Sequence, residues 1–541
     1  MKVLAKNYYI FWKVFPIFLC AIFISPILII LSSLLGNFSE NWVHLYNYVL
    51  FEYFSNTLIL VLGVGSLSLI IGSLTAWIVT TYNFFGKRIF EWSLILPLSI
   101  PPYILAYTFT GLFDSYGTVN NLLRDILNLS SSYIFFPNVR NIYGAIIVFS
   151  FTLYPYVYLI CRSAFLNQSK AMLETGRVLG LNKLQIFSRL ALPMIRPAAI
   201  AGVMLVVMET VSDFGAVEHF AVQTFTTGIF RTWYGMYDLH TAMQLASLLL
   251  VFVLTFVFIE RNSRKNATYA SMASRSDPDK PELKTGIASF FCFLACLIPI
   301  FIGFILPIME LSIWALNYNL SFFNENFLVQ TLNTLYVSLI AAFLCTLFAL
   351  LVNFSARFNE SKFIARTDTF LSLGYAVPGL ILAIGIVQIF TILDSTILKN
   401  SQFFITGSLI GLIFAYIVKS YALSSSTIES GFERINLKLD DSARVLKSSG
   451  INLMLRVHYP LLKTSLLTSL LLVMAEAVKE LPATLVLRPF NFDTLAVSTY
   501  IYAAEERMYE AASPAIAIVL IGLIPILILT QMIRKSRYTN H

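Results

Sequence analysis

The sequence predicts an all-α polytopic membrane protein, with about twelve transmembrane helices in two parallel six-helix repeats. Composition, a series of long apolar runs and an internal duplication carry that prediction. Of the 541 residues, 57% are hydrophobic and only 12% are charged, whereas a soluble domain devotes about a quarter of its residues to charge. Apolar stretches recur at approximately 13–35, 55–80, 91–113, 142–163, 194–213, 242–260, 286–311, 330–355, 368–393, 404–425, 462–481 and 512–533. About twenty apolar residues cross a bilayer as helix, and lipid admits only helices and closed barrels. Long unbroken runs of this kind are helical.

The net charge of +8 follows the membrane rather than a nucleic acid. With the amino terminus placed in the cytoplasm, 28 Lys and Arg fall in cytoplasmic segments and 6 in the opposite loops (Arg124, Arg140, Arg231, Lys399, Arg488 and Arg507). That bias is the positive-inside pattern, and it predicts that both termini of a multi-pass protein are cytoplasmic. Lys2 and Lys6 precede the first apolar run as in a signal peptide. The run is too long for one, and no small-x-small site follows it, so a retained helix is expected. The five cysteines (Cys20, Cys161, Cys292, Cys296 and Cys345) lie inside apolar runs and suggest neither a disulfide framework nor a zinc site.

The duplication sets the organisation. Glu174-Thr-Gly-Arg177-Val-Leu-Gly180, leading to Pro193, recurs as Asp441-Ser-Ala-Arg444-Val-Leu-Lys447, leading to Pro460; the copies are 267 residues apart. Asn56-Thr57-Leu58 and Pro101 recur as Asn333-Thr334-Leu335 and Pro378 at a spacing of 277, the difference being absorbed near 114–141. A repeat this long means two homologous halves rather than a solenoid, and an even number of spans per half gives them the same orientation. The expected division is 1–260 for the first half, 261–285 for a polar cytoplasmic linker and 286–541 for the second half. In the first copy Val178, Leu179, Leu181, Leu184 and Phe187 alternate with Arg177, Lys183 and Arg189 at helical spacing. A short interfacial helix is expected there, its apolar side under the bundle. Two such helices at matching places suggest paired docking sites for a two-fold symmetric partner.

This pattern resembles the EAA loop of permease subunits of binding-protein-dependent ABC importers with the type I fold, and the resemblance covers nearly the whole chain. Glu174 and Gly180 match it, with Thr175 and Gly176 in place of alanines; the second copy departs further, with Asp441, Ser442 and Lys447. The resemblance implies that Glu174, Arg177, Gly180, Pro193, Asp441, Arg444, Lys447 and Pro460 couple the chain to two cytoplasmic ABC ATPase subunits. A second run, Lys479-Glu480-Leu-Pro482-Ala-Thr484 continuing through Arg488 to Asp493-Thr494, is similar to a signature of fused ferric-iron permeases. Asp213-Phe-Gly-Ala-Val looks like its partner in the first half. By this likeness ferric iron is the cargo, a periplasmic binding protein delivers it, and Pro482, Thr484, Arg488 and Asp493 form a periplasmic gate.

The carboxylates argue independently. Glu209 and Asp213 are four apart near the outer end of the fifth run, as are Glu476 and Glu480 in the eleventh; both pairs are related by the 267-residue repeat. Such spacing puts each pair on one helix face. Acidic groups at membrane depth face the bundle interior and mark ion pathways, and hard cations take oxygen ligands. The four are therefore candidates for a transient metal path, the other reading being interfacial charges or gate-closing hydrogen-bond partners. Lys419, deep in its run, has no partner that sequence alone can name.

No phosphate-binding loop is present, since Gly86-Lys87 lacks the rest of that pattern. The chain is thus expected to be a translocation subunit rather than an enzyme, binding no cofactor, with ATP-Mg held by the partner subunits. No HExxH or CxxC occurs, and the five histidines are scattered. Two alternatives remain at this level. One is the same permease class carrying thiamine, a polyamine or another small solute; the other is a secondary transporter driven by an ion gradient.

Overall fold

The computed structural model describes residues 2–130, 133, 135–136, 138–166, 168, 176, 178–265, 282–283, 286–317, 325–359, 362–399, 404–446, 448 and 450–538. Among these, ten helices are long and apolar enough to cross a membrane, and two bent helix pairs bring the number to twelve when each pair is taken as one span. The ten and the two bent pairs coincide with the twelve runs read from sequence. The polytopic all-α class is therefore the observed one. Of the linker, Glu282–Leu283 is described beyond the end of the sixth helix, and it pairs in parallel with Tyr82–Asn83.

Proline chemistry explains where spans break. In the third span, Lys87–Ser99 and Pro102–Leu127 meet at 91°. Pro101, itself followed by a proline, is extended (φ −60°, ψ 147°), and Pro102 opens the next helix. A residue before proline avoids the helical region, and proline suits the first helical turn, where no amide partner is needed. In the second half Pro378 is likewise extended and caps Gly379–Thr396. The fifth span bends by 73° between Phe187–Met194 and Arg196–Ser212, at Ile195 and just before Pro197. Its counterpart runs unbroken from Ile451 to Lys479, because Thr464 stands where the first half has Pro197.

The packing units cross the sequence repeat. One core gathers Trp12–Ile30 and Ala242–Val253 with residues between Val337 and Leu487. The other joins Leu60–Phe220 to Cys296–Ala315 and Ala512–Val519. The first span of each half is thus buried largely against the other half, while the last span of each packs mainly within its own. Trp12 packs edge-on to Phe354 at 4.8 Å, and Phe23 does so to Tyr421 at 5.6 Å. Phe293 meets Phe90 at 5.2 Å. Gly385 lets the first helix approach closely, since a Cβ there would lie 2.6 Å from the Pro26 carbonyl oxygen. Exchange of the first spans ties the two halves together.

After the fifth and eleventh spans the chain folds back inward. The helices Gly215–His219 and Phe225–Phe230 follow in the first half, and Pro482–Leu487 and Leu495–Ala504 in the second, all largely buried. The duplicated Asn-Thr pair of the second and eighth spans holds these segments. Asn56 Nδ2 donates to the Gln223 carbonyl at 3.0 Å and Asn333 Nδ2 to that of Asp493 at 3.1 Å. Thr57 and Thr334 hydroxyls accept the amides of Phe225 and Leu495 at 3.3 and 2.9 Å. Four backbone groups inside the bundle are satisfied by one dipeptide used twice.

Candidate functional site

The four carboxylates meet in one cavity of about 70 Å³ between the halves. The fifth span supplies Glu209 and, at its end, Asp213; the eleventh supplies Glu476 and, at its end, Glu480. Leu98–Tyr103, the broken segment of the third span, closes one side. Glu209, Glu476 and Glu480 continue into a second, narrower space beside Tyr375, Tyr416 and Leu423.

The members of each pair have different tasks. Asp213 Oδ1 accepts from the amides of Ala216 and Val217 at 2.8 and 3.4 Å. Glu480 Oε1 accepts from the Ala483 amide at 3.3 Å. Each therefore caps the short helix that follows it, satisfying donors with no partner inside that helix. Glu209 accepts from the Tyr375 hydroxyl at 3.3 Å. Glu476 pairs with Lys479 at 3.0 Å, and the same ammonium lies 3.4 Å from the Leu98 carbonyl. Glu480 is 8% exposed and forms an ion pair with Lys419, the partner that sequence could not name. Among the described residues no three His, Cys, Asp or Glu side chains are placed to chelate a metal ion. The arrangement is an acidic chamber partly neutralised by lysines.

Of the four gate candidates, Pro482 opens its helix and reaches the chamber wall itself. The fully buried Thr484 hydroxyl donates to the Glu480 carbonyl at 2.6 Å and lies 2.7 Å from that of Tyr416. Arg488 and Asp493 form an ion pair that clips the turn between the two short helices.

Of the residues expected to couple to ATPase subunits, Glu174, Arg177 and Lys447 lie outside the described residues. Gly180 sits in the left-handed region at φ +78°, a conformation a side chain would strain. Pro193 and Pro460 each stand in the first turn of a helix. One expectation fails here. Val178 and Leu179, expected under the bundle, are 87% and 73% exposed, and their repeat mates Val445 and Leu446 are 82% and 81% exposed. The loop after Val178 turns these side chains outward, leaving two matched apolar knobs uncovered.

Asp441 is exposed, while its neighbour Asp440 is buried. Asp440 Oδ2 accepts from Arg357 Nε at 2.7 Å, and its Oδ1 lies 3.3 Å from His458 Nε2. Arg357 also donates to the carbonyls of Phe432 and Ile435 at 2.7 and 3.0 Å. His458 is fully buried between the rings of Phe354 and Phe432. Arg357, Asp440 and His458 thus fasten the helix Leu437–Val445 to the eighth and eleventh spans. Sequence reading missed Asp440 and Arg357; the adjacent acids Asp440-Asp441 were the available signal, and helical phase decides which one turns inward. In the first half, Arg162 pairs with Glu91 at 3.2 Å.

A duplicated, all-α bundle with an acidic chamber between its halves and a loop repeated beneath each half is a multi-pass transport protein of the type I permease class. The chain belongs to the family described as the binding-protein-dependent transport system inner membrane component, which it matches twice, at residues 68–259 and 353–537. It is 24% identical over 490 residues to the Fe(3+)-transport system permease protein FbpB 2 of Haemophilus influenzae, covering 89% of this chain and 90% of that one. The ferric transport system permease protein FbpB of Actinobacillus pleuropneumoniae is 23% identical over 508 residues, 88% of this chain and 70% of its own. The sulfate transport system permease protein CysT of Salmonella typhimurium is 25% identical over 202 residues, 37% of this chain and 70% of that one. The chain is accordingly an ABC transporter permease of the inner membrane, a family that works with a periplasmic binding protein and ATPase partners.

Proposed function

We propose that this chain is the translocation subunit of an ATP-driven importer that carries ferric iron from periplasm to cytoplasm by alternating access. The observation that carries the cargo is the convergence of Glu209, Asp213, Glu476 and Glu480 on one chamber between the halves. Four carboxylates and two lysines give that chamber a formal charge of −2. Oxygen ligands and negative potential suit a hard cation, and a transient path needs attraction without a closed coordination shell. An oxyanion cargo of the kind named for the sulfate permease would meet repulsion there. Similarity to ferric permeases over most of both chains supports the same reading.

ATP enters through the partners. The matched apolar pairs Val178-Leu179 and Val445-Leu446 stand uncovered in the two coupling loops, and two ATPase subunits related by a two-fold axis would cover both. Closure of those subunits draws the loops together and opens the chamber to the periplasm; hydrolysis resets it toward the cytoplasm. Both termini lie in the cytoplasm, and 1–260 and 286–541 act as the two halves joined by 261–285.

The test is radio-iron uptake in iron-starved cells supplied with a weak ferric chelate, with the gene intact, deleted or replaced. Uptake lost on deletion should return with the wild-type gene and remain at least tenfold lower with Glu209→Gln plus Glu476→Gln, while the mutant chain assembles normally. Unchanged uptake on deletion, in cells with no second iron system, overturns the cargo. Uptake that survives de-energised ATPase partners but collapses with the ion gradient would make the protein a secondary transporter.

A further inference from the structure

The chamber is symmetric in its acids and asymmetric in its bases. Glu209 and Glu476 are repeat mates, as are Asp213 and Glu480, all at a spacing of 267. At that spacing Lys419 corresponds to Thr152 and Lys479 to Ser212, and all four of these residues line the cavity. Both cations therefore come from the second half. Both are engaged with acids of that same half, Lys419 with Glu480 and Lys479 with Glu476. The first-half acids have a phenol on Glu209 and backbone amides on Asp213 instead. The buried hydroxyl of Tyr103, a residue 2% exposed that lines the same cavity, makes no hydrogen bond among the described residues.

An importer must return empty after each delivery. Four bare carboxylates in one chamber would then repel one another, and an uncompensated buried charge is costly. A lysine suits the relief of that repulsion because it is a compact point charge on a flexible stem, whereas an arginine fork would hold a carboxylate by two bonds. We propose that Lys419 and Lys479 are the permease's own counter-ions, yielding Glu480 and Glu476 to the incoming cation and reclaiming them as it leaves. The cation enters along the first-half wall, where among the described residues Glu209 carries no ion pair and the Tyr103 hydroxyl has no hydrogen-bond partner. It displaces the two ammonium groups from the second-half acids, and their return competes it off on the cytoplasmic side. The lysines thereby set how weakly the path holds its cargo.

This inference rests on the cation reading of the chamber, and one experiment separates the two. The permease, assembled with its two ATPase subunits, is equilibrated with radio-iron supplied as ferric citrate. Retained iron is measured for wild type, Lys419→Gln and Lys479→Gln, and release into proteoliposomes is followed in parallel. Each Gln variant should retain iron about tenfold more tightly or better, since one repelling charge near the cation is gone, and should release it correspondingly more slowly. A protein merely damaged would lose retention rather than gain it. Wild type that transports iron, with Gln variants that retain no more than it does, overturns the counter-ion role and leaves the cargo standing. Wild type that neither retains nor transports iron overturns both. Failure of both variants to assemble also overturns the counter-ion role, because a displaceable group cannot be indispensable to the fold.

Discussion

Replacing Asp440 by Ala should loosen the second coupling loop far more than replacing its neighbour Asp441. Asp440 and Arg357 form an ion pair at 2.7 Å, with side chains only 7% and 11% exposed. Removing one member of a buried pair strands the other charge and costs roughly 3–5 kcal/mol. Arg357 keeps its bonds to the carbonyls of Phe432 and Ile435, which places the expected loss at the lower end, about 3 kcal/mol. Asp441 is exposed, and a surface substitution there should change stability by less than about 0.5 kcal/mol. The assay is hydrogen exchange across Leu437–Val445 in the assembled permease. Three kcal/mol is roughly a 100-fold change in a local opening constant, large enough to read directly. The same variant should hydrolyse ATP in the complex with much less transport per ATP, because the helix no longer moves with the eighth span. Equal exchange in Asp440→Ala and Asp441→Ala would refute the argument that the buried acid fastens this loop.

Changing Val178, Leu179, Val445 and Leu446 to Ser should cost the partner interface about 1.5 kcal/mol per side chain, seen as loss of ATPase subunits on co-purification while the permease itself stays monodisperse. Asn333→Ala should remove one bond worth about 1 kcal/mol and raise exchange in Leu495–Ala504, with Asn56→Ala doing the same at Phe225–Phe230; no change would show that these turns hold without the dipeptide. Asp238, in the loop before the sixth span, is pushed up by burial, but hydrogen bonds from Thr241, Asn41 and Ser39 outweigh that and hold it at about 2. Its folded value is depressed, so its contribution is present above the usual carboxylate range and lost as pH falls from about 4 toward 2. Exchange at Leu239–Ala242 should rise over that window in wild type and be high and pH-independent in Asp238→Ala.

The twelve spans were legible because bilayer thickness demands long apolar runs, and such runs are visible without any contact. The paired acids were legible because a repeat doubles every position that matters. Less was legible where neighbours decide. Lys419 was plainly out of place in its run, yet its partner Glu480 lies 61 residues away, a distance only the packing of the tenth and eleventh spans closes. Val178 and Val445 read as half of an amphipathic helix, and the backbone turn after each points them to solvent instead. The buried member of Asp440-Asp441 could not be chosen without knowing which face of its helix met Arg357.

By itself the sequence determined the membrane class, the duplication and the set of acids that repeat together. These depend on solvent, covalent geometry and spacing along one chain. Tertiary structure decided that the first span of each half packs on the opposite half, that four acids 267 residues apart in pairs share one cavity, and that two lysines from a single half answer them. Those outcomes depend on which helix faces meet across the bundle. Charge in a low-dielectric interior is settled by partners in space, and no order of residues along the chain states who they are.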